Sequence, residues 1–219
     1  MNYKEVIEAK YNREAWQQLL HDIFLNKVQF YNSTSEVKVN SRLAKSALYI
    51  GRISLSDGES LGIYEVELAD KVDIERNKRG IRDMLTKDWK DMGHAGAFMF
   101  CYRKNESVLR FSYVSETWGF NKKGDYEKLS TNTKRYTYLL GEGRGCRTAI
   151  EQFSALKESK QSLSDVTAAF SVEALTKQFY KDLFDWYQWA VDPASGVYFP
   201  NNTSTEAVSY THLRAHETL

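Results

Sequence analysis

Three acidic residues around one predicted hairpin are the strongest chemical signal in the sequence. Glu65 and Glu67 are two positions apart, so their side chains project from the same face of a strand. Asp57 lies in the turn before that strand. Neighbouring carboxylates repel each other unless solvent or a cation compensates, and hard oxygen ligands suit Mg²⁺. We therefore predict that Asp57, Glu65 and Glu67 bind one divalent ion, which could polarise a phosphodiester and activate water.

The same spacing also fits an exposed edge strand that carries no chemistry. On that interpretation Glu65 and Glu67 are solvated, and the alternating apolar residues form the opposite, core-directed face. Those apolar residues are Tyr64, Val66 and Leu68. Spacing alone leaves both interpretations open.

A basic segment after the hairpin is a candidate for phosphate contacts with DNA. Its cationic residues are Arg76, Lys78, Arg79 and Arg82. The alternative is a solvated helix face with an Arg79–Asp83 ion pair. Asn77 leans by helical phase toward the apolar side, so it is either a local cap or a residue turned toward the acidic edge.

Other possible chemistry has weaker support. The loop Gly141-Glu-Gly-Arg-Gly145 precedes a predicted helix, as a cofactor-binding glycine loop does, but no strand ending in an acid follows, which favours a flexible connector. We expect His21 and His94 to be structural or surface residues. Cys101 and Cys146 lack metal-ligand spacing and are expected to be reduced thiols.

The composition excludes some classes of protein. The 219 residues carry a formal net charge of +1, so any basic surface must be local rather than chain-wide. We see neither an apolar run long enough to cross a bilayer nor a signal peptide, and we therefore expect a cytoplasmic protein without membrane contact.

The elements that must position these residues follow from the hydrophobic period. Residues 12–25 have helical spacing, residues 47–55 and 61–68 read as strands around an Asp57-Gly58 turn, and a second helix starts near Ile74. Residues 97–102 form a continuous apolar run, which is typical of a buried central strand, and residues 109–113 alternate as a half-exposed neighbour. This order predicts an α/β (α+β) domain over residues 1–120, with a mixed sheet and flanking helices.

The remainder of the chain is predicted to be a connector over residues 121–145 and a helical segment over residues 146–192. Its second helix, after Ser171, has an apolar stripe that should pack on a partner. The stripe consists of Val172, Leu175, Phe179, Leu183, Trp186 and Ala190. Residues 193–219 are expected to be a loop and a tail.

The tail Val208-Ser-Tyr-Thr-His-Leu-Arg-Ala-His-Glu-Thr218 resembles the in-frame translation of a sequencing-library adapter. We therefore expect that it is not natural protein, that His212 and His216 bind no metal, and that a natural downstream part is missing.

Several strings together resemble the N-terminal region of type IIG restriction–modification enzymes, in which a nuclease-like domain is joined to an adenine-specific DNA methyltransferase. They are Leu61-Gly-Ile-Tyr-Glu-Val-Glu-Leu68, Ile74-Glu-Arg-Asn-Lys-Arg-Gly-Ile-Arg-Asp-Met-Leu85, Gly96-Ala-Phe-Met-Phe100, Lys134-Arg-Tyr-Thr-Tyr-Leu-Leu-Gly-Glu-Gly143, Cys146-Arg-Thr-Ala149 and Ala169-Phe-Ser-Val-Glu173. The likeness spans roughly residues 46–189.

This resemblance implies a PD-(D/E)XK nuclease-like fold that binds Mg²⁺ and double-stranded DNA. Asp57 would take the first acidic place and Glu65 the second, while Glu67 stands where the pattern has lysine. S-adenosylmethionine would bind in the missing methyltransferase domain, which would contact the helical segment described above. The resemblance thus implies DNA cleavage here and adenine methylation downstream. The alternatives are a non-catalytic DNA-binding or protein-interaction module and a free-standing nuclease.

Overall fold

A computed structural model describes residues 2–74, 80–116, 118–120, 126–128, 134–171 and 179–187. The chain divides into two compact units, Met1–Ser171 and Val172–Leu219. The second unit contains a described helix over residues 179–187. Within the described ranges, no helix combines the length and apolar character needed to cross a membrane.

The first unit contains five α-helices and eight β-strands among its described residues. The helices are α1 (Tyr3–Ile7), α2 (Arg13–Phe24), α3 (Gly80–Asp91), α4 (Arg147–Glu158) and α5 (Leu163–Phe170). The strands are β1 (Val28–Glu36), β2 (Ala44–Ser54), β3 (Ser60–Leu68), β4 (Gly96–Tyr102), β5 (Val108–Ser115), β6 (Trp118–Phe120), β7 (Tyr126–Lys128) and β8 (Lys134–Gly141).

Six of the strands form one mixed sheet in the order β1-β2-β3-β4-β5-β8, and β6 pairs with β7 separately. Neighbouring strands are antiparallel except β3 and β4, which are parallel. The parallel pair requires a crossover, and α3 lies in it. The predicted α+β class, with a mixed sheet and flanking helices, is confirmed.

Helices cover both faces of the sheet. On the first face, α1, α2, α4 and α5 pack on the residues of β3 and β4 that include Leu61, Ile63 and Phe98. On the second face, α3 packs through Leu85 and Trp89, both fully buried. Strands in the middle of such a sheet have two buried sides, which explains the continuous apolar run in β4.

Local sequence signals account for the ends of several elements. The Asn12 side chain caps α2 by accepting a hydrogen bond from the Ala15 N–H at 2.9 Å. Gly58 adopts a φ of +87° in the β2–β3 turn, a conformation that glycine adopts without strain. A capping box formed by Ser162 and Asp165 begins α5.

The structure differs from the sequence-based predictions in strands β5 and β8 and in the C-terminal boundary of the first unit. β5 is not half-exposed: Arg110 and Ser112 are buried because β8 covers its edge and α3 lies on the same face. β8 lies within the predicted connector over residues 121–145. The first compact unit therefore continues past residue 120 to Ser171, which is the C-terminal cap residue of α5.

Candidate functional site

Glu65 and Glu67 lie on one face of β3, as predicted, but Asp57 is at the other end of that strand. Ser60 begins β3, and Glu65 lies five positions further along the extended strand, roughly 17 Å away at about 3.4 Å per residue. The Asp57 carboxylate instead accepts hydrogen bonds from the N–H groups of Glu59 (3.3 Å) and Leu163 (2.7 Å). The predicted three-residue ligand set is therefore not brought together.

The Glu65 side chain is buried and has charged and polar partners. Arg13 Nε donates to Glu65 Oε2 at 2.5 Å, and Arg13 Nη2 forms an ion pair with the same oxygen. The Tyr102 hydroxyl donates to Glu65 Oε1 at 2.9 Å. Because β3 lies between β2 and β4 and Glu65 is only 5% exposed, the exposed-edge interpretation is wrong for this residue.

Helix α2 and strand β4 position the two partners of Glu65. Arg13 is the first residue of α2, so the Asn12 cap that fixes the start of the helix also fixes the guanidinium. Tyr102 is the last residue of β4, and its ring stacks on Tyr11 with centroids 4.6 Å apart. These contacts join the entry to α2 with the end of the parallel strand pair.

Glu67 lies nearer to solvent and is neutralised by two lysines. Lys104 Nζ is 3.4 Å from Glu67 Oε2 and Lys45 Nζ is 3.9 Å from Glu67 Oε1. Lys45 also pairs with Asp70 at 2.7 Å, and this hydrogen bond holds the pKa of Asp70 below its usual value. The lysine side chains are 48% and 72% exposed, so these ion pairs are weaker than the one at Glu65.

The tyrosines around Glu65 remain protonated at neutral pH. Burial, and then the negative charge of Glu65, raises the pKa of both Tyr102 and Tyr11. Tyr102 is therefore a hydrogen-bond donor to the carboxylate over the whole physiological range. Glu65 therefore has one cationic and one neutral hydrogen-bond donor, Arg13 and Tyr102.

This donor set does not fit a ready Mg²⁺ site. Mg²⁺ requires oxygen ligands in near-octahedral geometry, whereas here Arg13, Lys45 and Lys104 occupy the surroundings of the two carboxylates. Within the described part of the chain, no group of three His, Cys, Asp or Glu side chains could hold a metal ion. The arrangement is an ion-pair network on the first face of the sheet, buried at Glu65 and partly exposed at Glu67.

Sequence reasoning missed the residues that complete this network. Arg13 and Tyr102 are 52 and 37 positions from Glu65, and they come together only through the sheet and the packing of α2. A lone arginine after a helix cap gives no sign of a distant buried acid. We find no local signal in the sequence that could have identified the partners.

Most of the predicted DNA-binding segment falls outside the described residues. This applies to Arg76, Asn77, Lys78 and Arg79. Arg82 lies in the first turn of α3. Because α3 follows β3 in the crossover to the parallel strand β4, it begins beyond the end of β3 that carries Glu67.

The glycine loop between β8 and α4 has a packing explanation. Gly141 has a φ of +117°, and a Cβ there would lie 2.0 Å from the Ser107 carbonyl oxygen. Gly143 also adopts a positive φ, of +74°. The close approach of two backbones accounts for Gly141 without a cofactor.

The helix over residues 179–187 exposes its apolar side chains, in line with the prediction for the stripe. Phe179, Leu183 and Trp186 are between 44% and 62% exposed. The other members of the predicted stripe, Val172, Leu175 and Ala190, lie outside the described residues.

No protein-family model matches the chain, and a search of curated proteins found no match.

Proposed function

We propose that the chain is the N-terminal part of a DNA restriction–modification enzyme, and that its first compact unit is a nuclease-like domain that binds double-stranded DNA. The observation that carries this proposal is the acidic pair Glu65 and Glu67, which share one face of β3 in the parallel strand pair of a mixed sheet, while α3 covers the opposite face. This arrangement supports a PD-(D/E)XK-type fold, in which an acidic strand follows a hairpin.

In the form that the geometry favours, this domain binds DNA without cutting it. The carboxylates that would hold a metal are neutralised by Arg13, Lys45 and Lys104, so they support the fold rather than a reaction. Phosphate contacts would come from the basic segment, Arg76, Lys78, Arg79 and Arg82, with Asn77 beside it. A non-catalytic nuclease-like domain can position DNA for a second activity in the same protein.

Mg²⁺-dependent cleavage is the second candidate, and one observation favours it. The two carboxylates do share a face, and the cationic side chains near them are 39% (Arg13), 48% (Lys45) and 72% (Lys104) exposed. Cations this accessible to water can rotate away when a metal and DNA arrive. Cleavage in that case requires Glu65 and Glu67, and not Asp57.

The proposed parent protein also methylates adenine with S-adenosylmethionine in a downstream domain. The exposed aromatic residues of the 179–187 helix, among them Phe179 and Trp186, fit a surface that contacts that domain. Uncovered apolar area of this kind is usual where two domains meet.

One experiment separates the two candidates. The purified chain is mixed with labelled double-stranded DNA, and fluorescence anisotropy and gel electrophoresis are followed with Mg²⁺ or with a chelator. The favoured form predicts binding that weakens with salt, persists in chelator and leaves the DNA uncut. Glu65→Gln and the exposed control Glu151→Gln are compared, with circular dichroism to verify folding.

The outcomes are distinct. Cutting that requires Mg²⁺ and is abolished by Glu65→Gln, but not by Glu151→Gln, would establish the nuclease candidate. Failure of the chain to bind DNA under any condition would contradict the whole proposal.

A further inference from the structure

A second polar cluster lies on the other face of the sheet and has no role in the proposed function. His94, in the loop between α3 and β4, is 7% exposed. Its Nδ1 is 2.8 Å from Ser60 Oγ and its Nε2 is 3.0 Å from the Tyr49 hydroxyl. The ring therefore joins three segments of the chain: β2, the start of β3 and the loop before β4.

The backbone around His94 reinforces this junction. The His94 N–H donates to the Trp89 carbonyl at 3.0 Å, and the Ala95 N–H donates to the Ser60 carbonyl at 2.9 Å. Gly62 makes room for the ring, since a Cβ there would lie 3.1 Å from His94 Cδ2 and 2.8 Å from Tyr64 Cε2. The imidazole is thus hydrogen-bonded to two hydroxyl groups and closely packed against aromatic rings.

This environment favours the neutral ring. A neutral imidazole has one donor and one acceptor nitrogen, which two hydroxyl partners can satisfy. The titratable and charged groups that face it are Tyr49 and Arg52 from β2, Tyr64 from β3 and Asp88 from α3. The Asp88 carboxylate already accepts a hydrogen bond from the Tyr64 hydroxyl at 2.7 Å. Neither of the hydroxyls bonded to the ring carries a negative charge that would compensate an imidazolium.

We propose that His94 is a pH-sensitive link, which when neutral holds the end of α3 and the following loop to the β2–β3 hairpin and when protonated releases that hold. A charged imidazolium is stable only when it is hydrated. The ring would reach solvent if the loop over residues 92–95 moved away from Ser60 and Tyr49.

The direction of the pH dependence follows from the surroundings. Burial, and then the positive charge of Arg52, lowers the pKa of His94 below its ordinary 6.5, while Asp88 opposes the shift. Between the folded and unfolded pKa values the unfolded chain binds the proton more tightly. The stabilisation is therefore complete above about pH 6.5 and is lost as the pH falls toward the folded value. Across that window the ratio of folded to unfolded protein falls by up to about tenfold per pH unit.

The test combines a titration with a substitution. The ring of His94 is followed by NMR in the whole chain, and urea unfolding is measured at about pH 5 and about pH 7.5. We expect the His94 midpoint below 6.5 and a lower folded fraction at the acidic pH. We also expect the Ala95 amide to lose protection in acid, measured as its exchange rate relative to that of a free amide at the same pH. His94→Gln, which keeps a donor and an acceptor but cannot be protonated here, should reduce the pH dependence, whereas the exposed control His21→Gln should not.

Each result decides the proposal. A His94 midpoint at or above 6.5, or an Ala95 amide whose protection from exchange is unchanged by protonation of His94, would overturn it. If His94→Gln fails to fold, the NMR titration and the amide exchange of the unmodified chain still give the answer. An undiminished pH dependence in folded His94→Gln would also overturn it.

Discussion

Strand β3 contributes a polar side chain to a buried cluster near each end, and the two side chains have opposite kinds of partners. Near the end of the strand, Glu65 is paired with Arg13 and Tyr102 on the face covered by α2. At the start of the strand, Ser60 bonds His94 in a neutral cluster on the face covered by α3. One strand therefore carries a buried ion pair on one side and a buried neutral network on the other.

The difference shows that location decides what each cluster can do. A buried ion pair is strongly destabilised by the loss of one partner, because an uncompensated charge remains. A neutral network responds instead to a change of protonation. The first cluster should therefore be sensitive to mutation and the second to pH.

The largest expected effect is on the aromatic core beneath the ion-pair face. Phe170 on α5 contacts the rings of Phe98, Phe111, Tyr113, Tyr138 and Phe153. Phe170→Ala should lower the free energy of unfolding by about 4 kcal/mol, because it leaves a cavity among buried rings. Phe179→Ala, at an exposed position, should change it by less than about 0.5 kcal/mol. Urea unfolding measures both, and a small effect of Phe170→Ala would mean that α5 is not part of the first unit's core.

The ion pair itself gives the next largest effect. Arg13→Ala should lower the free energy of unfolding by about 3 kcal/mol, since Glu65 is left buried without its cation. Arg147→Ala is the matched control, because its ion pair with Glu151 is exposed and should contribute less than about 0.5 kcal/mol. Adding Glu65→Leu to Arg13→Ala should restore part of the loss. Equal effects of the two arginine substitutions would remove the distinction between the buried and the exposed pair.

The elements that could be predicted are those with a local pattern of apolar residues or a turn signal in the sequence. α2, the β2–β3 hairpin, α3 and β4 follow from helical spacing, a turn signal or an apolar run. β1 could not be predicted, because its polar sequence and register shift give it no regular alternation. β8 lies within the predicted connector, because its short apolar run does not by itself indicate the pairing with β5 that makes it a sheet strand.

Some features of the candidate site could likewise be predicted from the sequence, and others could not. The shared face of Glu65 and Glu67 follows from the two-residue period of a strand. The separation of Asp57 also follows from strand length, once β3 is known to begin at Ser60. The pairing of Glu65 with Arg13, and of His94 with Ser60, depends on contacts across 52 and 34 residues, which only the folded chain creates.

Acid unfolding should distinguish the two faces of the sheet, because the titratable groups on each face lose their stabilising effect over different pH ranges. On the first face, hydrogen bonds from Tyr3 and then Lys157 hold the pKa of Asp22 below its usual 3.8. Its stabilisation is therefore present above about pH 3.8 and is lost as the pH falls further, whereas that of His94 begins to be lost as the pH falls below about 6.5. Asp22→Asn should cost about 1 kcal/mol at neutral pH and remove part of the acid dependence below pH 3.8. Unfolding of Asp22→Asn measured across the acid range tests this, and an unchanged curve below that pH would contradict the assignment.

The smallest expected effect is at Lys104, and it bears most directly on whether the acidic pair is open to a metal. Lys104 is 72% exposed and 3.4 Å from Glu67, so Lys104→Ala should change the free energy of unfolding by less than about 0.5 kcal/mol. Because Arg13 still holds Glu65 in this variant, we expect that Mg²⁺ raises the unfolding temperature of neither the variant nor the unmodified chain beyond a matched ionic-strength control. A metal that binds the folded state alone would raise it, since binding stabilises the state that binds. A rise confined to Lys104→Ala, and abolished by adding Glu65→Gln, would show that the lysine masks a metal site and would favour the cleavage candidate over the non-catalytic one.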